Sequence, residues 1–292
     1  MLKTHFEPSA EIGLQIQSGD HVARLKWHRL RRSLRDPLFS LDVLQEGFRI
    51  GASMELDLRV RRDGGFVVLH DPDLRGETAG AGRISDLSRH DLAKASFKGD
   101  GRSLLCSEEL ADLLTGAHPD ALLQFDMKDD FDAIGANGIA HLASRFRSKA
   151  QSLIISGDCL RLIGEIAEHL PEMRRGIDPT DRLVRSFKSG GARRVEADLL
   201  AEVRGATEPD TIYLAWQLLL KMLGEGLDLV ALCHAEGRLV DAWTFTPNDV
   251  ANGLTEPEAA QFRALVAMKP DQITTDEADA LSRVWRDDLS RR

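Results

Sequence analysis

Cysteine is scarce in this chain. Among 292 residues only Cys106, Cys159 and Cys233 carry a thiol, and they are scattered and odd in number. That favours reduced thiols in a cytosolic protein over a disulfide framework. Cys106 and Cys233 each follow leucine in apolar surroundings and read as small buried hydrophobes. Apolar runs are short as well. None reaches the ~18 residues of a membrane-spanning helix, and Met1 to Asp20 holds no apolar signal core. A cytoplasmic protein with no stable membrane insertion is expected. Basic excess is also missing, because the formal net charge is −9. Nucleic acid is therefore a poor partner, while a local positive patch can still receive a small anion. There is no G-x-G-x-x-G, no P-loop, no internal repeat and no low-complexity tract.

What is present is an apolar share of 42%, enough for a substantial core. Short β-type runs alternate with helical patterns along nearly the whole length. The patterning predicts strands near 23–28, 53–60, 65–70, 121–127, 152–156, 173–176, 211–214, 239–245 and 272–275. It predicts helices near 38–50, 107–115, 130–148, 159–169, 215–235, 256–268 and 277–289. Thr255, Pro257 and Glu258 open one helix with capping-box spacing and an early proline, and Asp276 offers an N-cap for the last. Such alternation implies parallel strands in βαβ succession. The expected class is α/β, a (β/α)8 TIM barrel forming a single domain over 1–292, with a doubly wound open sheet as the alternative. Nine strand-like runs compete for eight slots, so one of 173–176 and 211–214 is expected to lie outside the barrel. Residues 71–105 read as a small insertion after the third strand, over the C-terminal face. Residues 177–210, with Gly190-Gly191 and Lys188, Arg193 and Arg194, read as a surface excursion or mobile loop.

Four polar elements close strand-like runs: His28-Arg29, Glu55-Leu56-Asp57, His70-Asp71 and Asp126-Met127-Lys128. The C-terminal ends of barrel strands are where such barrels build active sites. Period-two alternation puts Glu55 and Asp57 on one face and Met54, Leu56 and Leu58 on the other. Gln124, Asp126 and Lys128 repeat this against Leu123, Phe125 and Met127. Inward carboxylates need a cation, since an unpaired buried charge costs several kcal/mol or more. Oxygen donors without a nearby thiol suit one hard divalent ion, Mg²⁺ or Ca²⁺. Two histidines near neutral pH can remove one proton and deliver another. Singly, each element also fits a structural role; together they point to metal-assisted cleavage of a phosphate ester carried by a small molecule. The remaining histidines, His5, His21, His90, His118, His141, His169 and His234, take no part in it.

Further motifs sharpen this. Gly51-Ala52 precedes Glu55, Asp63-Gly64 precedes Val67-Val68-Leu69-His70-Asp71, and Leu74-Arg75 and Thr78-Ala79-Gly80 follow. Trp243-Thr244 and Thr274-Thr275-Asp276 close late strands. From about Trp27 to Ala280 the chain resembles the glycerophosphodiester phosphodiesterases, members of the phospholipase-C-like phosphodiesterase barrels. The resemblance implies that Glu55, Asp57 and Asp126 hold one divalent metal and that His28 and His70 are the catalytic acid/base pair. It implies that Arg29 and Lys128 grip the phosphate and that Trp243 walls the substrate pocket. In the family scheme a glycerol 2-hydroxyl attacks phosphorus, and water later opens the cyclic phosphate.

Three positions depart from the family pattern. Leu30 stands where glycine usually follows His-Arg, Leu38-Phe39-Ser40 replaces Glu-Asn-Thr, and Asp126 replaces a glutamate. Leu30, Leu38 and Phe39 near a pocket rim would suit an acyl chain, which makes a lysophospholipase-D-like activity the alternative. A barrel that binds a phosphorylated ligand without turning it over is another. The run Arg29 to Arg35 carries four arginines and offers a second anion contact.

Overall fold

The computed structural model describes residues 13–250 and 253–290. The reading of Met1 to Asp20 lies largely outside these residues, and His5 lies wholly so. Ten strands form one sheet: β1 (Gln15–Ser18), β2 (His21–Trp27), β3 (Ser53–Val60), β4 (Phe66–Val68) and β5 (Leu122–Met127) come first. Then follow β6 (Leu153–Ser156), β7 (Arg174–Ile177), β8 (Thr211–Ala215), β9 (Leu239–Trp243) and β10 (Gln272–Thr275). Eight are parallel and run β2-β10-β9-β8-β7-β6-β5-β3, and the β2–β3 pairing closes the barrel. This is the (β/α)8 fold. No helix among the described residues is long and apolar enough to cross a membrane.

The surplus run is β4, and both 173–176 and 211–214 are barrel strands, against the sequence expectation. β4 pairs antiparallel with β3, Val60 opposite Phe66. Residues 63–64 make the turn, and Gly64 takes φ 79° there, a conformation that glycine adopts without a Cβ clash. β3 outruns β2: Ser53 and Met54 pair with β2, whereas Leu58 to Val60 pair with β4. The short hairpin therefore lifts His70 to the barrel mouth. β1 lies outside the barrel too, antiparallel to β2.

Alternation governs the core. Met54, Leu56 and Leu58 of β3 are fully buried towards the helices, as are Leu123 and Phe125 of β5. Phe125 meets Phe146 edge-on with ring centroids 4.9 Å apart. The helix Leu41–Ile50 sits so close to β3 that a Cβ on Gly47 would come within 2.3 Å of the Met54 sulfur. Ser40 caps that helix by accepting the Val43 amide, and Thr255 with Glu258 makes the expected capping box.

Two helical readings need correction. Residues 177–210 are no loop but hold the helix Thr180–Val203, kinked where Gly191 takes φ 67°. The two glycines interrupt it without ending it, because Leu183, Val195, Leu199 and Val203 on either side are all buried. The span 215–235 is two helices, Trp216–Gly224 and Leu229–Ala235. Gly226 at φ 83° turns the chain between them, and Asp228 caps the second.

Candidate active site

The C-terminal mouth of the barrel holds a cavity of about 220 Å³. Its lining includes all eight residues to which the resemblance gives a metal, proton-transfer, phosphate or pocket role: His28, Arg29, Glu55, Asp57, His70, Asp126, Lys128 and Trp243. Glu55 and Asp57 point inward from β3 at 4% and 1% exposure, as alternation requires. Asp57 stands beside Asp126 of β5 in register. One carboxylate oxygen from each of Glu55, Asp57 and Asp126 lies within 4.8 Å of the other two.

Two cations face these three carboxylates. The Lys128 ammonium lies 3.0 Å from Asp57 Oδ1 and 2.5 Å from Asp126 Oδ2. Arg29 Nε lies 3.3 Å from Asp57 Oδ2. Burial tends to raise the Asp57 carboxyl, but Lys128 and Arg29 outweigh it and hold the group below its ordinary range. Glu55 behaves oppositely. Burial first, and then Asp57 and Asp126, push it well above the usual carboxylate range. Carboxylates so outnumbering their cations suit a further positive charge, and an all-oxygen set suits a hard divalent ion.

Local backbone places Arg29. Arg29 and Leu30 adopt φ 51° and 52°, the left-handed region that a residue with a Cβ rarely enters. Leu30 thus keeps a glycine-like conformation, and its fully buried side chain offsets the strain. The bend aims the Arg29 amide at Glu55 Oε2, 2.8 Å away.

Each histidine is oriented through Nδ1, to Asp276 at 3.0 Å for His28 and to Asp71 at 2.9 Å for His70. Asp276, expected to cap the last helix, instead binds His28, the Arg31 guanidinium at 2.5 Å and the Thr246 hydroxyl at 3.0 Å. Burial would raise its carboxyl, but His28 and Arg31 hold it down at about 2. Two arginines of the run are committed to the protein: Arg31 to Asp276, and Arg32 to Glu46 and Asp279. Leu30 and Phe39 are core residues, Leu38 packs against that core, and none of the three lines the cavity.

Sequence reasoning passed over several supporting groups. Arg59 donates to the His70 carbonyl at 2.8 Å and the Lys128 carbonyl at 2.6 Å, and pairs with Asp129. Glu77, inside the insertion, accepts the His70 and Asp71 amides. Asp178, directly after β7, lines the cavity, and burial pushes its carboxyl up to about 7 with help from Asp126. Its signal was an aspartate between a strand end and Pro179, the pattern of His70-Asp71-Pro72. Below, the Lys26 ammonium pairs with Asp241 at 2.7 Å and bonds Gln124, which donates to Ser156 at 2.8 Å. Ser156 in turn donates to Asp126 Oδ1 at 3.2 Å. The metal-ligating-type set Cys106, Glu108 and Glu109 is engaged elsewhere, since Arg61 binds Glu108 through both terminal nitrogens.

Known proteins agree with this architecture. A Mycobacterium tuberculosis protein named Probable glycerophosphodiester phosphodiesterase 2 is 30% identical over 281 residues, covering 91% of each chain. The solved glycerophosphodiester phosphodiesterase of Thermotoga maritima shares the fold with a TM-score of 0.61 at 19% identity, over 89% of this chain and 97% of that one. An Oleispira antarctica phosphodiesterase, solved with its product sn-glycerol 3-phosphate, gives 0.63 at 16% identity, over 90% and 96%. The profile of the Glycerophosphoryl diester phosphodiesterase family matches residues 40–280, from the cap of the helix Leu41–Ile50 into the last helix. With that match spanning most of the chain, this protein belongs to the glycerophosphoryl diester phosphodiesterase family and is a phosphoric diester hydrolase.

Proposed function

We propose that this chain hydrolyses glycerophosphodiesters to glycerol phosphate and an alcohol, with one divalent cation and a two-histidine acid/base pair. The observation that carries the reading is the convergence of Glu55, Asp57 and Asp126 within 4.8 Å, beside Arg29 and Lys128. Those three carboxylates would hold the ion, Mg²⁺ or Ca²⁺. When bound, it would offset the negative charge that grows on the phosphoryl oxygens towards the transition state. Arg29 and Lys128 serve the same oxygens from the protein side.

His28 and His70 line the same cavity, each with Nδ1 anchored to an aspartate. That leaves Nε2 of each for proton transfer. One histidine takes the proton of the substrate's 2-hydroxyl as its oxygen bonds phosphorus. The other protonates the departing alcohol as its P–O bond breaks, and the cyclic phosphate is then opened by water with the proton roles reversed. Asp276 holds the His28 ring in place.

The test is turnover of glycerophosphocholine with Mg²⁺, with Ca²⁺ and with chelator, for the wild type and for His28→Ala and His70→Ala. Chelation is expected to abolish turnover and added metal to restore it. Each alanine variant is expected to lose at least ~10²-fold in kcat. Undiminished rates in chelator would remove the metal, and losses below tenfold in both variants would remove the histidine pair.

A further inference from the structure

Among the three carboxylates of the candidate metal centre, Asp126 is the least enclosed. Its side chain is 23% exposed, against 2% for Asp57 and 5% for Glu55. Packing therefore fixes it least, and polar contacts must supply the rest. Lys128 takes its Oδ2. Its Oδ1 meets the Ser156 hydroxyl at the paired position of β6. Behind Ser156 the barrel interior holds an ammonium. Lys26 is 2% exposed and sits on β2, two residues before His28. It reaches across the interior to Gln124 of β5 and Asp241 of β9, and lies 4.3 Å from the centroid of the Tyr213 ring on β8. Stability alone is a weak reason for such a group, because well-packed hydrophobic residues often serve a core as well as a buried ion pair does.

We propose that Ser156, Gln124 and Lys26 are positioning residues, a hydrogen-bond chain of fixed direction that holds the Asp126 carboxylate ready for the divalent ion. This rests on the metal reading above and adds to it the groups that pre-set one ligand. The direction follows from Lys26. An ammonium donates and cannot accept, so Gln124 must turn its Oε1 towards Lys26. A flipped amide would set two donors face to face. The Gln124 amide nitrogen therefore faces Ser156 and donates to its Oγ at 2.8 Å. Having accepted that bond, Ser156 has a single proton to give. Its choices are Asp126 Oδ1 at 3.2 Å and the Phe125 carbonyl at 3.4 Å. The nearer acceptor is also the charged one, and a charge-assisted bond is the stronger. Thr274 secures the far end by donating to Asp241 Oδ1 at 2.6 Å. The Asp126 carboxylate is thus held through both oxygens in advance, so ordering it costs little when the ion binds.

The experiment is calorimetric titration of the full chain with Mg²⁺ and with Ca²⁺. It is made on folded protein, so a loss of stability alone does not move the Kd. Ser156→Ala removes the donor to Asp126 and is expected to weaken the ion about 10-fold, as loss of a group that orients a metal ligand does. Gln124→Met cuts the chain one link further back, and a smaller loss of about threefold is expected. Lys26→Met is made together with Asp241→Asn, so that no buried carboxylate is left unpaired, and is expected to match Gln124→Met. In turnover of glycerophosphocholine, the metal concentration for half-maximal rate should rise in Ser156→Ala by the same factor as the Kd. An unchanged Kd in any of the three variants overturns the proposal, as does a loss of rate that extra metal leaves unrepaired. Wild-type protein that binds neither ion overturns the metal reading and this inference together, whereas wild-type binding with unaltered variants overturns the inference alone.

Discussion

The two histidines of the mouth are held in contrasting ways. His28 is 20% exposed, and its anchor Asp276 lies 248 residues away, 11% exposed and bound also by Arg31 and Thr246. His70 is 38% exposed, and its anchor is its own neighbour Asp71, itself 42% exposed. The first arrangement is a shielded network with its geometry fixed from several sides. The second is a solvent-screened local pair, and the backbone around it carries the ordering instead. Orientation of a catalytic ring can thus come from a buried side chain or from a clamped main chain, and the two should fail differently.

Asp276→Asn should have the largest effect on that contrast, costing about 10- to 100-fold in kcat, as loss of an orienting carboxylate does elsewhere. Steady-state kinetics on glycerophosphocholine would check this, and a loss under threefold would erase the distinction. Arg59→Met comes next. It unties the His70 and Lys128 carbonyls together. We expect about a tenfold fall in kcat/KM, with faster amide exchange near both residues as the companion measurement. The smallest effect belongs to Asp71→Asn, under about threefold, because an exposed pair is worth little.

Acid should sharpen the same difference. The Asp276 carboxyl sits at about 2 in the folded protein, below the ~3.9 of an unfolded chain. A lowered folded value means that its stabilisation is complete above pH ~4 and disappears as pH falls towards 2. The linked contribution is about 2–3 kcal/mol. Asp276→Asn should flatten the stability profile across that window in urea titrations.

Much of this molecule was readable from its residues because alternation is unambiguous wherever one face is charged. Glu55, Asp57 and Asp126 could not have pointed outward without burying their charges in the helix-facing layer that Met54, Leu56 and Phe125 fill. Strand number was harder. The run Phe66–Val68 is as apolar as any barrel strand, and only the turn at Asp63-Gly64 marks it as a hairpin partner of β3. The helix Thr180–Val203 hid behind Gly190-Gly191, where local glycine chemistry argued against a pattern that tertiary burial sustains. Asp276 hid for a different reason. As an aspartate before a helix it carries a capping signal, and nothing local reveals a histidine nearly a whole chain away. Lys26 is similar: its strand was legible, but Gln124 and Asp241 meet its ammonium only once eight strands close around it.

That distance along the chain between His28 and Asp276 has a consequence for biosynthesis. Among the described residues β2 precedes every other barrel strand and β10 follows them all, yet they lie side by side in the finished barrel. A nascent chain would therefore carry both histidines, all three carboxylates, Arg29 and Lys128 long before it possesses Asp276, which holds the His28 ring. Catalytic competence would arrive with the final strand, so that a prematurely released product could resemble the enzyme in most of its sequence and still be chemically idle.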